Sequence, residues 1–247
     1  GITYNAILEF SADRQSWTAL YTLEARGPLL QSHGAVVGPE GQLWVPTFIG
    51  LFRFQPATRH MELVRSTDPS LEHMLGTVKY ALYEQGGTLW IGTSGYGLLK
   101  YDPRMQRFNR KSDGSIRSLW PAKDGQLVVG RFGDFLRVFD TRTRRYTMEI
   151  DQVGKLGHGS DTLREGFGYM SIQDAEGYFW NSSQLGTVIR YRGHGSDPRI
   201  VQPEGEAQGA MFPLMPGRDG TLWSGGDRGL WKIDRRSTRL TRRRCAK

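Results

Sequence analysis

The chain has 247 residues, a formal net charge of +8 and one cysteine, Cys245, so it is long enough to bury a sizeable core and can form no intrachain disulfide. Its 32 glycines and its aromatics (7 Trp, 10 Tyr and 11 Phe) suit many short strands joined by tight turns and argue against a helical bundle. No run of 18 apolar residues occurs, and the opening GITYNAILEF lacks a basic region followed by an apolar core, so neither a membrane-spanning segment nor a signal peptide is expected in these residues.

In chain order, ILEF at 7–10 and SWTALYT at 16–22 read as the third and fourth strands of a four-stranded unit whose first two strands are missing. Five similar segments follow: EGQLWVPTFIGLFRFQP at 40–56, GTLWIGTSGYGLLKYDP at 87–103, DGQLVVGRFGDFLRVFD at 124–140, EGYFWNSSQLGTVIRYR at 176–192 and DGTLWSGGDRGLWKID at 219–234. Each reads turn, strand, Gly-containing loop, strand. The anchors Trp44, Trp90, Val128, Trp180 and Trp223 lie 46, 38, 52 and 43 residues apart, the period of one four-stranded propeller blade.

The second repeat shows the logic of one blade. Val78 to Leu82 alternates as an inner strand does, Glu84 to Gly87 forms the turn, and Leu89 to Gly92 is the next strand. Ser94 to Gly97 reverses the chain, Leu98 to Tyr101 is the third strand, and Pro103 stops it because proline cannot donate to a ladder. Arg107 to Arg110 is the outer strand. An indole is large enough to fill the space between sheets about 10 Å apart, so the anchor tryptophans are expected in the core. The expected fold is an all-β propeller of four-stranded blades: a half-blade at 1–25, then blades at 30–66, 74–112, 115–150, 163–202 and 208–242. Five blades and a half leave the ring incomplete, or leave another chain or segment to complete it.

The basic residues concentrate at 235–247, where RRSTRLTRRRCAK holds seven cations and no acid, so the rest of the chain is near neutral. This run reads as a basic C-terminal tail rather than a specific nucleic-acid surface. Arg142, Arg144 and Arg145 form a smaller cluster in an expected outer turn.

GTLWIGTSGYGLLKYDP resembles the repeat of the two-component regulator propeller family, whose blades carry D-x-x-G-x-L-W-x-G-T followed by G-L-x-x-Y/F-D. Trp90, Gly92, Thr93, Gly97, Leu98, Tyr101 and Asp102 match; the last repeat keeps Trp223, Gly225, Gly229, Leu230 and Asp234, and the first keeps Trp44, Thr47, Gly50, Leu51 and Phe54. The middle repeats depart from it: Val128 replaces the Trp, Asn181 interrupts an aliphatic strand, and Gly186-Thr187 stands for Gly-Leu. The resemblance implies a periplasmic or extracellular sensory domain of a bacterial signalling protein that recognises a carbohydrate-like small molecule. No kinase motif or phosphate-cradling loop accompanies it.

The ligand face is expected where the loops between second and third strands gather with those entering the inner strands. Phe48, Tyr96, Arg131, Phe132, Asp134, Gln184, Asp227 and Arg228 are the candidates: aromatic rings stack on sugars, while Arg and Asp orient hydroxyls or carboxylates. His33, His60, His73, His158 and His194 show no metal-ligand spacing, so no metal, cofactor or catalytic residue is assigned. Two alternatives remain open. One is a propeller enzyme, either a lyase of the streptogramin type or a polysaccharide-active enzyme using Asp134, Glu165 and Asp227; the other is a protein-interaction scaffold.

Overall fold

Between two extended runs, Gly86 and Gly87 both adopt left-handed backbone (φ 58° and 81°), the conformation a two-residue hairpin needs and a side chain resists. The turn is therefore shorter than the four residues read from sequence, and the strand before it runs through Gln85, paired with Thr88. The computed structural model describes residues 6–11, 16–22, 34–47, 49–77, 81–102, 107–110, 114–131, 136–150, 167–183, 186–193, 197–201, 211–217, 219–226 and 229–243. Among these the chain is almost entirely antiparallel β-sheet. It divides into two units, Gly1–Ile116 and Arg117–Lys247.

The first unit holds a two-stranded sheet, β1 (Ala6–Phe10) and β2 (Trp17–Thr22), and two four-stranded sheets. These comprise β3 (Val36–Val37), β4 (Leu43–Thr47), β5 (Gly50–Gln55) and β6 (His60–Leu63), then β7 (Ala81–Gln85), β8 (Thr88–Gly92), β9 (Leu98–Asp102) and β10 (Arg107–Arg110). Strands adjacent in sequence are adjacent in each sheet, the up-and-down order of a propeller blade. Val45 and Phe54 pack with Ile7 on one face of the first four-stranded sheet, while Trp44 and Leu51 pack with Leu89, Ile91, Leu99 and Tyr101 on the other.

Sequence reading missed one element of this unit, the helix α1 (Pro69–Leu75) between β6 and β7. Asp68 caps it by accepting from the N–H groups of Ser70 and Leu71 at 2.8 and 3.4 Å, and Pro69 begins it where no amide donor is needed. Leu75 anchors the helix in the apolar layer around Trp44.

The second unit contains three more up-and-down sheets, the first beginning at the unit boundary. They are β11 (Ile116–Pro121), β12 (Gln126–Arg131), β13 (Leu136–Asp140) and β14 (Arg145–Ile150); β15 (Phe167–Gln173), β16 (Phe179–Ser183), β17 (Val188–Tyr191) and β18 (Arg199–Val201); and β19 (Met211–Pro216), β20 (Leu222–Gly226), β21 (Gly229–Ile233) and β22 (Leu240–Arg243). Val128, Leu136 and Val138 pack on Phe179, Ile189 and Tyr191, and the far face of that sheet packs Ile172, Trp180 and Val188 on Leu222, Ile233 and Leu240. Of the basic run, residues 235–243 are built into the last sheet: they make its final turn and β22, with Leu240 in the core.

The anchor positions Trp44, Trp90, Val128 and Trp180 are buried as expected from their repeat, whereas Trp223 stays partly exposed. A cation lies directly across the ladder from each tryptophan: Arg53 from Trp44, Lys100 from Trp90, Arg190 from Trp180 and Lys232 from Trp223. The charged groups of Lys100, Arg190 and Lys232 lie 5.7, 5.9 and 6.0 Å from the ring centroids of their tryptophans, and Arg190 lies closer still, 4.4 Å, to the Tyr178 ring.

Candidate functional site

The threonine of the L-W-x-G-T signature shapes the loop that follows it. Thr47 Oγ1 donates to the Gly50 carbonyl at 2.9 Å and accepts from the Ile49 N–H at 3.2 Å. Thr93 repeats the device, donating to the Gly97 carbonyl at 2.8 Å and accepting from the Tyr96 N–H at 3.1 Å. Both threonines are fully buried, so each loop leaves its sheet in one fixed direction. Gly50 has φ 142°, a backbone conformation that side chains resist, and a Cβ there would displace the end of the Leu63 side chain, 2.8 Å away.

The β8–β9 loop is held from both sides by chain entering inner strands. Ser94 N–H donates to the Thr77 carbonyl at 3.0 Å just beyond α1, while Gly97 N–H donates to Gly114 at 2.6 Å and Ile116 N–H to Thr93 at 2.8 Å just ahead of β11. Tyr96 thus stands on a braced loop. Its hydroxyl lies 2.7 Å from His73 Nε2 on the last turn of α1, with the rings edge to face at 5.3 Å.

Beside this pair opens a cavity of about 240 Å³, bordered by Ile49, Gly50, Leu63, Arg65, Glu72 and His73. Ile49 is 45% exposed and supplies an apolar flank. Glu72 closes the opposite side, accepting from Arg65 Nη1 at 2.6 Å and from the Ser66 N–H at 2.7 Å. The Arg65 hydrogen bond, then that of Ser66, hold the Glu72 carboxyl below its ordinary 4.5 against a smaller opposing effect of burial. A lowered folded-state value means that the contribution is present above pH 4.5 and is lost as pH falls through the lower value. Amide hydrogen exchange of the 65–77 segment should therefore be slower in the parent chain than in Glu72→Gln at neutral pH, with the difference vanishing in acid; equal protection at neutral pH would mean that the ion pair does not order α1.

Of the residues singled out from sequence, Tyr96 belongs to this site of the first unit. Arg131, half-buried at the end of β12, belongs to the second unit and takes the place that Thr47 and Thr93 hold in theirs. Phe48, Phe132, Asp134, Gln184, Asp227 and Arg228 lie outside the described residues, as do Glu165, His33, His158 and His194. Sequence reading missed His73, Glu72, Arg65 and Ile49 as a group. The signal available was Asp68-Pro69 followed by apolar residues 71, 74 and 75, a helix start that brings His73 toward the next sheet. Among the described residues no three His, Cys, Asp or Glu are placed to share a metal ion, and no helix is long and apolar enough to cross a membrane.

No protein-family model matches the chain, and comparison with curated proteins gives no match. In fold it is similar to the extracellular domain assigned to the one component system BT4673 from B. thetaiotaomicron, with a TM-score of 0.70 and 18% identity over 98% of this chain and 34% of that one. It is similar also to the extracellular domain assigned to the hybrid two component system BT3049 from B. thetaiotaomicron (TM-score 0.65, 15% identity, 99% of this chain and 33% of that one). A chain of the Mitotic Checkpoint Complex matches at TM-score 0.67 and 12% identity over 97% of this chain and 71% of its own length. At such identities the likeness is one of fold. The chain spans about a third of the two B. thetaiotaomicron domains.

Proposed function

We propose that the chain is a ligand-binding part of the extracellular or periplasmic sensory domain of a bacterial signalling protein, built from two-component regulator propeller blades. The repeat wording, the blade-like sheets and the likeness to extracellular domains of two-component systems support this reading. In it, the blades follow the boundaries 30–66, 74–112, 115–150, 163–202 and 208–242 with a half-blade at 1–25.

The observation that carries the ligand-binding role is the meeting of the Thr47-capped loop and α1 around one cavity, at whose border His73 holds Tyr96 of the Thr93-capped loop. A tyrosine ring fixed at its hydroxyl offers a stacking face, Ile49 an apolar edge, and the Arg65–Glu72 pair donors and acceptors for hydroxyl groups. This combination suits a carbohydrate-like molecule. The corresponding loops of the second unit, with Arg131, Phe132, Asp134, Gln184, Asp227 and Arg228, serve as that unit's ligand-contacting loops.

Calorimetry against a panel of oligosaccharides should give a hit that Tyr96→Ala weakens by about tenfold or more, a loss of about 1.4 kcal/mol, with the melting midpoint within a few degrees of the parent. His73→Ala should weaken the same hit less, because it frees the tyrosine without removing it. A hit that survives both substitutions unchanged places the ligand elsewhere, and chemical conversion of the hit would make the chain an enzyme.

A further inference from the structure

In the repeat, the side chains on the face of the anchor residue meet the sheet that follows. Across the ladder from Trp180 stand Ile172 and Arg190, and Val188 comes two residues before Arg190, so Ile172, Trp180 and Val188 share one face. That face packs on Leu214, Leu222 and Ile233 of the next sheet. Trp44 and Leu51 pack in the same way on Leu89, Ile91 and Leu99, and Val128 and Leu136 on Phe179, Ile189 and Tyr191. Leu51, Leu136 and Val188 hold one repeat position, two residues before the one opposite the anchor, and all three are fully buried.

The sheet of β19–β22 carries the same pattern. Trp223 lies across the ladder from Met215 and Lys232, and Leu230 comes two residues before Lys232, so Met215, Trp223 and Leu230 lie on the face turned away from the buried Leu214, Leu222 and Ile233. A Cβ at Gly225, on the same face, would stand 3.1 Å from Pro213 Cγ, so Pro213 extends the apolar surface. Lys232 and Thr241 are the polar residues among them. Here the repeat positions are uncovered: Met215 is 63% and Leu230 44% exposed, and Trp223 is partly exposed. The last unit of a stack of repeats needs a polar outer face. This sheet keeps the apolar residues of an interior one, on a surface that water penalises.

We propose that the Trp223 face is an interaction surface whose partner is a further four-stranded sheet of the same repeat, docked through the kind of face that Leu214, Leu222 and Ile233 present to Trp180. The chain itself shows what covers such a face. In three of its sheet pairs the anchor side is met by aliphatic and aromatic residues from the second and third strands of the neighbouring sheet. Sheets pack about 10 Å apart, and Met215, Trp223 and Leu230 fill that space as Ile172, Trp180 and Val188 do. This surface stands whether or not the Tyr96 cavity binds a sugar.

Appending a second copy of residues 203–243 to the C-terminus of the whole chain supplies such a sheet. In a Cys245→Ser background, Leu230→Cys should react with a maleimide about tenfold or more slowly in the extended chain than in the parent, and the extended chain should melt at a higher temperature. Met215→Lys combined with Leu230→Lys should leave the parent's melting midpoint within a few degrees, since both residues are exposed, and should cancel the gain in the extended chain. In the parent alone the same lysine pair should abolish binding of the apolar dye bis-ANS, a readout that needs no extension to fold. Equal labelling rates in the two chains would overturn the proposal, as would dye binding that the lysines leave unchanged. A parent chain that sediments as a dimer and becomes a monomer on Leu230→Lys would overturn it too, by making a second copy the occupant.

Discussion

An Asp174→Ala variant should lose about 3 to 4 kcal/mol of stability, because one small carboxylate serves three donors in a place closed to water. Its side chain is only 3% exposed, and Arg235 Nη1 stands 3.8 Å from Oδ2. Without it, the Glu176 and Tyr178 amides and the Trp180 indole lose their acceptor together. The Arg235 carbonyl also accepts from Arg190 Nη1 at 2.8 Å, so the damage should extend from the sheet of β15–β18 to the turn before β22. Urea denaturation followed by tryptophan fluorescence measures this, and a loss below about 1 kcal/mol would show that water replaces the carboxylate at little cost. Asp174→Asn retains an acceptor oxygen and should fall between the two.

Much of this was legible in the sequence because a repeat multiplies weak signals. Leu98 to Tyr101 and Arg107 to Arg110 were readable as strands from alternation and from Pro103, and β9 and β10 occupy nearly those bounds. ILEF and SWTALYT likewise fall on β1 and β2. The Gly86-Gly87 hairpin was misjudged by length, since composition marks a turn but not how many residues it spends outside the ladder. Helix α1 was hidden for a different reason: seven residues are too few for a 3.6-residue period to stand out, and its main signal is the cap Asp68-Pro69.

The site was half legible. Thr47 and Thr93 were visible as motif residues, and the loops they shape were expected to carry the ligand face, which brought Tyr96 forward. His73 could not be joined to Tyr96 from sequence, because 23 residues separate them and only the placement of α1 closes the gap to 2.7 Å. One difference between repeats had no signature at all: the Trp180 indole donates to Asp174, whereas the Trp44 indole, six residues after Gly38, has no partner among the described residues.

That comparison separates two tryptophans at one repeat position. Trp44 is 1% exposed and Trp180 0%, so replacing either by alanine should cost about 3 to 5 kcal/mol as a large buried ring is lost. Trp44 packs with Leu51, Leu75, Leu89 and the edge of Tyr101 at 5.7 Å, and Trp180 with Ile172, Leu222 and Ile233. Phenylalanine should divide them. In Trp44→Phe only ring volume is lost, because the indole N–H that disappears has no partner among the described residues, and the cost should be about 1 to 2 kcal/mol. In Trp180→Phe the Asp174 carboxylate also loses its indole donor in a buried place, adding about 1.5 to 3 kcal/mol. Of the anchor tryptophans, the partly exposed Trp223 should lose least on replacement by alanine, since less of its ring leaves contact with protein. Denaturation midpoints in which Trp44→Phe costs as much as Trp180→Phe would show that the hydrogen bond to Asp174 contributes nothing, and that the anchor tryptophans hold these sheets by volume alone.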